Sequence, residues 1–214
     1  MKSIFNYSIA LVIVSSLIAC GGGHNHEGRD NGNKTAGTEC VLNYNADSTK
    51  LAWTAYKTTE KVAVGGTFDQ FKMAGVNQGK TAAEVFENVK FEIISASVNS
   101  NNPERDKKIS NHFFGIMAQA MEITGTVDKI GDDYADIFIE MNGISMKQKF
   151  DLKTDDATYC TITTDLNLED WDALNSVNAL NEICFDLHKG ADGESKLWSE
   201  VRIELTVQLD KVCP

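Results

Sequence analysis

The histidines of this chain have side chains well suited to acid–base chemistry, but no recognised catalytic pattern surrounds them. Histidine is the usual general base near neutral pH, which makes His112 and His188 the first candidates. The chain contains no GxSxG, HExxH, GxGxxG or GxxxxGKS/T pattern. We expect His112 and His188 to be surface or helix-capping residues. We therefore predict that the protein is not an enzyme and uses no cofactor.

The cysteines do not show the spacing of a metal site. No CxxC or CxxH sequence occurs, so a zinc site is not predicted. His24 and His26 lie in a polar, glycine-rich segment, where we expect solvated imidazoles rather than metal ligands. The chain has five cysteines: Cys20, Cys40, Cys160, Cys184 and Cys213.

The first twenty residues have the features of an export signal. Lys2 provides a short positive region, and residues 9–18 are mostly apolar. This run is short for a membrane-spanning helix, which needs about 20 apolar residues. It ends in Leu-Ile-Ala-Cys followed by Gly, which resembles a bacterial lipobox. The resemblance implies a signal peptide over residues 1–19 and lipidation of Cys20, which would anchor the protein in the cell envelope. The residues after Cys20 are glycine-rich rather than strongly acidic, which favours a position facing the periplasm.

The net charge restricts the possible partners of the protein, and the local composition divides the chain into a tether and a folded domain. The net charge of −11 repels phosphate backbones, so no nucleic-acid partner is expected. Residues 21–39 contain six glycines and almost no apolar residue, which predicts a flexible tether following Cys20. Residues 40–214 form the predicted folded domain. The expected partner is the membrane, through the anchor, and the sequence leaves open a homodimer of two copies of the chain.

Alternation of apolar and polar residues dominates the chain from Cys40 onward. In residues 200–210 every second residue is apolar, which is typical of a strand with one dry and one wet face. Turn sequences such as Asn142-Gly143 separate similar segments. Many short alternating strands favour an antiparallel sandwich or barrel. The predicted strands cover residues 51–57, 89–93, 121–127, 135–141, 146–152, 160–168 and 200–210.

Two segments depart from the strand pattern. Residues 170–190 place apolar side chains three and four positions apart, which predicts a helix that ends near Gly190. A shorter helix is expected around residues 82–88. The sequence thus predicts a mainly β fold with one or two short helices.

The four cysteines that remain after lipidation are an even number in an exported, oxidising setting, which indicates disulfides. Three pairings are possible. If the first and last strands pair antiparallel, Cys40 and Cys213 meet, and their bond closes the barrel. Cys160 and Cys184 would then fasten the helix to the preceding strand.

Several segments, in this order, resemble the YceI-like family. They are Trp53, then VGGTFDQFK (64–72), the stretch from 89 to 114, EITGTV (122–127) and EDWD (169–172). The most specific part is Arg105-Asp106 followed by Phe113-Phe114. The resemblance spans roughly residues 50–209. The segment 184–193 is similar to a lipoprotein branch of the family found in Bacteroidetes-type bacteria.

The resemblance implies a closed, eight-stranded antiparallel barrel, lipocalin-like, around a long apolar cavity that holds isoprenoid or fatty-acid chains. The usual polar residues near the first strand are replaced here by Ala55-Tyr56-Lys57. We expect the charged stretch after Pro103 to be a loop, and at least one ring of Phe113 and Phe114 to point into the cavity. The candidate ligand-binding residues are Trp53, Phe68, Phe71, Phe91, Phe113, Phe114, Met117, Ile123, Ile139, Phe150 and Trp171.

These observations predict an envelope lipoprotein that binds or carries an apolar chain of the isoprenoid, quinone or fatty-acid type. The alternative is a lipid-anchored interaction or scaffold protein whose barrel is filled by its own side chains. An empty apolar cavity would favour the first reading, and a packed interior the second. An enzyme acting on a lipid or quinone would need a histidine or carboxylate inside the cavity.

Overall fold

The computed structural model describes residues 39–156 and 158–214. The predicted signal peptide, the lipidation of Cys20 and the tether up to residue 38 lie outside the described residues. Within the described part of the chain, no helix combines the length and the apolar character needed to cross a bilayer.

An antiparallel sheet of ten strands makes up most of the described chain and curls into a half-barrel. Its strand order is β3-β4-β6-β7-β8-β9-β10-β1-β2-β5. The strands are Val41–Lys57 (β1), Val62–Phe68 (β2), Phe71–Ala74 (β3), Lys90–Ile94 (β4), Val98–Asn99 (β5), Glu122–Ile130 (β6), Tyr134–Met141 (β7), Ile144–Asp156 (β8), Tyr159–Asn167 (β9) and Leu197–Val212 (β10).

Three α-helices and four 3-10 turns connect the described strands. The short predicted helix is α1, and the longer predicted helix is divided into α3 and the 3-10 turn that follows it. The helices are Ala82–Phe86 (α1), Pro103–His112 (α2) and Leu174–Ile183 (α3), and the 3-10 turns are Ser95–Ser97, Phe114–Ile116, Leu168–Trp171 and Phe185–Leu187.

The prediction of a closed eight-stranded barrel is wrong in strand number and in closure. The ladder is interrupted between β2 and β3, and again where the turn Ser95–Ser97 separates β4 from β5. One long strand is thereby divided into β2 and β3, and another into β4 and β5. Strands β3 and β5 lie at the two edges of the sheet. Only isolated bonds cross this break, including those from Asp69 N to Ser97 O at 2.9 Å and from Ile94 N to Gln70 O at 3.0 Å. A 3-10 turn directs its backbone groups along the chain, so it cannot continue a ladder.

The first and last strands pair antiparallel, as predicted. Leu51 lies opposite Leu205 and Trp53 opposite Ile203, so the apolar faces of β1 and β10 are in register. This pairing brings the chain ends together, and Cys40 and Cys213 form a disulfide with a Cα–Cα distance of 4.2 Å. The predicted Cys40–Cys213 bond is confirmed.

The predicted Cys160–Cys184 disulfide is wrong, because the two thiols lie at opposite ends of the sheet. Cys160 is near the start of β9, whereas Cys184 follows α3, which the chain enters after the end of β9. Seven residues of strand separate Cys160 from Asn167, or roughly 23 Å at 3.3 Å per residue. Both thiols are free and buried.

Each end of the half-barrel carries helices. Strands β7 and β9 end, and β8 and β10 begin, at the end where α2 and α3 contact each other; we call this the helical end. The opposite end carries α1 and the disulfide, and we call it the disulfide end. The sheet and the helices together enclose the apolar core.

The charged stretch after Pro103 forms helix α2, so the predicted loop is wrong. Asn102 is the N-cap, and its side chain accepts a hydrogen bond from Arg105 N at 3.1 Å. Pro103 suits the first helical position because its missing N–H needs no partner there. Asp106 accepts hydrogen bonds from Ser100 N at 2.8 Å and Ser100 Oγ at 2.5 Å, and so fixes the chain that enters the helix.

Candidate ligand-binding cavity

Alternation along each strand separates an interior face from an exterior face. On β7, Ile137 and Ile139 are buried, whereas Phe138 between them is 39% exposed. On β10, Ile203 and Leu205 point inward opposite Trp53 and Leu51 of β1. Successive side chains of a strand point to opposite faces, so the local pattern determines which residues face the interior.

The interior faces surround a cavity with a volume of about 220 Å³. Its lining consists entirely of aliphatic and aromatic residues, methionines and one cysteine. Residues from every part of the sheet contribute, and α2 and α3 add Ile109 and Leu180 at the helical end. None of the described residues that line the cavity is charged, so its interior is suited to hydrocarbon.

The polar atoms that border the cavity already have partners or are poorly reactive. The indole N–H of Trp53 donates to Thr67 O at 3.1 Å, and that of Trp198 donates to Thr58 O at 2.8 Å. Cys160 contributes a thiol whose pKa is raised by burial and, to a smaller extent, by the charge of Asp156. A thiol with a raised pKa is mostly protonated and a poor nucleophile. The cavity wall therefore offers little that would recognise a polar group.

Two strand glycines allow aromatic rings to lie flat against the sheet. Gly66 is paired with Trp53, and a Cβ atom there would lie 2.5 Å from the indole ring. Gly125 is paired with Phe91, and a Cβ atom there would overlap the phenyl ring. The missing side chains let both rings lie close to the backbone of the neighbouring strand.

Phe113 and Phe114 both line the cavity at its helical end. Their ring centroids are 4.9 Å apart with planes at 79°, and Phe114 also contacts Phe68 with centroids 6.1 Å apart. Such edge-to-face arrangements are favourable for aromatic pairs. Phe114 is buried, and Phe113 is partly buried.

Nine of the eleven predicted ligand-binding residues line the cavity: Trp53, Phe68, Phe71, Phe91, Phe113, Phe114, Ile123, Ile139 and Phe150. Met117 and Trp171 do not line it, although both are buried. Trp171 lies in a 3-10 turn, and its indole N–H donates to Ile139 O at 3.2 Å, so its ring packs in the core. Contact of any of these residues with a ligand stays a prediction.

Sequence reasoning missed many lining residues, because only a few large apolar side chains were selected from the predicted strands. The alternation on β7, β9 and β10 already marks these positions as inward-facing. The missed residues on these strands are Ala135, Ile137, Met141, Cys160, Ile162, Leu166, Leu197, Val201, Ile203, Leu205 and Val207. Trp198 also lines the cavity, although it is adjacent to Leu197 and does not follow the alternation.

A second pocket of about 250 Å³ adjoins the cavity at the helical end, and we call it the vestibule. It shares Trp53, Ala55, Ile109, Leu180 and Leu197 with the cavity wall. Its remaining wall is mostly polar or charged and includes Tyr56, Lys57, Asn102, Glu104, Arg105, Lys108 and His188.

His188 is not a surface residue, because it is only 8% exposed, but it is the C-cap of the 3-10 turn Phe185–Leu187, so the prediction of a capping residue is confirmed. Its Nδ1 lies 2.8 Å from Oδ1 of Asn181. Burial lowers the pKa of His188 to about 4, and the charges of Lys57 and Lys108 contribute further. The imidazole is therefore neutral at pH 7. Because an amide oxygen can only accept, Nδ1 carries the proton.

A strongly curved antiparallel sheet around an apolar cavity is the architecture of proteins that hold small apolar ligands. The model of the YceI-like domain family matches residues 43–209, which is more than half of the chain. The protein therefore belongs to the YceI-like family. A comparison with curated protein sequences found no match.

Solved structures with the same fold include two bacterial proteins. One is a polyisoprenoid-binding domain from Saccharophagus degradans, implicated in plant cell wall breakdown; it is 15% identical, with a TM-score of 0.54 over 83% of this chain and 99% of that one. The other is BcnA from Burkholderia cenocepacia, which is 11% identical, with a TM-score of 0.55 over 78% of this chain and 99% of that one. At these identities the similarity establishes the fold.

Proposed function

We propose that the protein is an envelope lipoprotein that binds an apolar chain, of the isoprenoid, quinone or fatty-acid type, in its cavity. The observation that carries this proposal is the wholly apolar lining of a cavity of about 220 Å³. The polyisoprenoid-binding domain from Saccharophagus degradans, which shares the fold, supports a chain-like ligand.

The size of the cavity favours a slim ligand. A cavity of about 150 Å³ is enough to bind benzene, whereas drug-sized ligands occupy pockets of roughly 300 Å³ or more. Each CH₂ group moved from water into such an interior contributes about 0.8 kcal/mol to binding. A thin hydrocarbon chain fits this range of volumes. A cavity of about 220 Å³ also argues against the alternative in which the protein's own side chains fill the interior.

We propose binding rather than catalysis, because the cavity wall brings no imidazole or carboxylate to a bound chain. Anchoring through Cys20 is part of the proposal and is supported by the Leu-Ile-Ala-Cys sequence. An anchored carrier would hold its cargo next to the membrane that contains such lipids.

The test is native mass spectrometry of the purified full chain, followed by extraction with organic solvent. We expect about one apolar molecule per protein, and its mass will identify the class of cargo. Ile137→Lys should abolish this cargo, because Ile137 lines the cavity. Phe138→Lys adds the same charge one residue away on the exterior face and should keep the cargo.

Ala135→Leu provides a second variant if Ile137→Lys does not fold. Ala135 lines the cavity and is 2% exposed, so a larger apolar side chain there would fill space without adding charge. We expect it to reduce the bound cargo. A full chain that is purified without cargo and does not take up added lipids would contradict the proposed function.

A further inference from the structure

We propose that the vestibule is a binding site for the anionic head group, phosphate or carboxylate, of the chain held in the cavity. This inference rests on the proposed function, since the cavity must first hold the chain. The vestibule lies directly against the cavity, because five residues line both pockets. A chain that extends from the cavity between these shared residues would place its polar end among the charged side chains of the vestibule.

The charges of the vestibule are opposite in sign to those of the whole protein. Lys57, Arg105 and Lys108 line it together with one carboxylate, that of Glu104, which leaves an excess of two positive charges. The chain as a whole has a net charge of −11. The five ion pairs among the described residues all use other lysines or arginines, so no carboxylate forms an ion pair with these three cations there.

Local structure places each cation at the junction between apolar and polar walls. Trp53, Ala55 and Lys57 alternate along β1 and share a face, so Lys57 extends the interior face to the strand end. Its Nζ donates to Leu187 O at 3.0 Å, which positions the ammonium. On α2, Arg105 and Ile109 are four residues apart and lie on one side of the helix, with Lys108 beside them.

The properties of His188 agree with a positive potential in the vestibule. Burial is the main reason that its pKa is low, and the charges of Lys57 and Lys108 lower it further. An anion in the vestibule would be attracted by the same charges. Because His188 is neutral at pH 7, the attraction comes from the lysines and the arginine.

The division of chemistry between the two pockets indicates a ligand with two different parts. The cavity wall has no side chain that would compensate a desolvated charge, so a charged head group would be excluded from it. Arginine and lysine bind phosphate and carboxylate oxygens through charge-assisted hydrogen bonds. The vestibule thus suits the head group, and the cavity suits the chain.

The experiment compares three probes on the full chain after its cargo has been removed: geranylgeranyl monophosphate, palmitate, and the neutral alcohol geranylgeraniol. We expect the wild type to bind the phosphate at least about tenfold more tightly than the alcohol at low salt. High salt should reduce this preference. Preference for the phosphate over palmitate would identify a prenyl phosphate as the source of the head group, whereas similar affinities would indicate any anionic chain.

Two neighbouring lysines provide a matched pair of variants. Lys108→Gln removes a cation from the vestibule, whereas Lys107→Gln removes one from an exposed position outside it. We expect Lys108→Gln to reduce affinity for the phosphate about tenfold without changing affinity for the alcohol. Lys107→Gln should change neither. Arg105→Gln tests the same site if Lys108→Gln does not fold.

Failure of this inference is distinguishable from failure of the proposed function. If the alcohol and the phosphate bind equally tightly, and Lys108→Gln changes neither affinity, the head-group site is wrong and the apolar cavity remains. If none of the three probes binds, the proposed function itself is wrong, and the head-group site fails with it.

Discussion

At the scale of single residues, His188 shows how position changes the chemistry of a side chain. A histidine near the end of a helix is ordinarily solvated and titrates near pH 6.5. Here the ring is buried next to Lys57 and Lys108, which favours the neutral form. The cost of protonating this ring should be visible in the stability of the whole protein.

We predict that His188 makes the free energy of unfolding fall as the pH drops from about 6.5 to about 4. The folded-state pKa of about 4 lies below the ordinary value of 6.5, so in this range the unfolded chain binds more protons. Stability is therefore fully present above pH 6.5 and is lost toward pH 4, by about 2–3 kcal/mol. Urea unfolding at a series of pH values measures this loss.

His188→Gln should remove this part of the pH dependence, whereas His112→Gln should retain it. The comparison between variants is needed because carboxylates begin to titrate at the lower end of the same range. If the wild type and His188→Gln lose stability in parallel between pH 6.5 and pH 4, burial of a neutral imidazole is not the cause.

At the scale of elements, strand contacts rather than strand propensity determine the shape of the cavity. Glycine is unfavourable in a strand interior, yet Gly66 and Gly125 lie opposite large rings in the sheet. Each glycine leaves room for a ring to turn toward the backbone. The low strand propensity of Gly65 and Gly66 also explains why sequence reasoning did not predict β2.

We predict that Gly66→Ala destabilises the protein by about 1–3 kcal/mol, as overpacking does in other well-packed interiors. The new methyl group would lie 2.5 Å from the Trp53 ring and would also overlap the carbonyl oxygen of Asn99. The ring would have to move toward the cavity, so cargo binding should fall as well. Urea unfolding and cargo extraction measure the two effects.

Gly65→Ala is the matched control on the same strand. Its methyl group would lie 3.3 Å from Trp53 O and 3.7 Å from Thr54 Oγ1, a contact that small shifts can relieve. We expect a clearly smaller loss of stability and normal cargo binding. Equal losses for the two variants would show that strand propensity, not contact with the Trp53 ring, is responsible.

At the scale of the whole molecule, the pairing of β1 with β10 joins the two ends of the folded chain. The disulfide between Cys40 and Cys213 fixes this contact across 173 residues of sequence. A cross-link over such a long loop removes much of the freedom of the unfolded chain, which in the chain-entropy model corresponds to roughly 5 kcal/mol.

We predict that the double variant Cys40→Ala/Cys213→Ala unfolds with a free energy about 3–5 kcal/mol lower than that of the wild type. A reducing agent should lower the stability of the wild type by a similar amount and leave the double variant unchanged. Cys184→Ala should keep the sensitivity to reduction, since Cys184 is a free thiol. A fully reduced wild type with unchanged stability would contradict this role.

The sequence by itself determined the features that depend on local pattern. Alternation on β10 defined its inward face, helical spacing located α3, and the positions of Cys40 and Cys213 beside the first and last strands led to their pairing. Seven of the nine correctly chosen cavity residues lie on strands and line the cavity for the same reason, whereas Phe113 and Phe114 follow helix α2. Side-chain direction in a strand follows from the backbone of that strand alone.

Only the tertiary structure decided the features that depend on distant segments. The break in the ladder lies where residues 69–70 meet residues 94–97, and no local pattern encodes how these two segments meet. The separation of Cys160 from Cys184 depends on which end of β9 each residue occupies. The vestibule combines residues from β1, α2 and the chain after α3. Its positive charge therefore cannot be inferred from the composition of the chain, which is acidic as a whole. Contacts between remote segments are set by the packing of the whole chain, whereas the periodicity of apolar residues depends only on residues that are close together in the sequence.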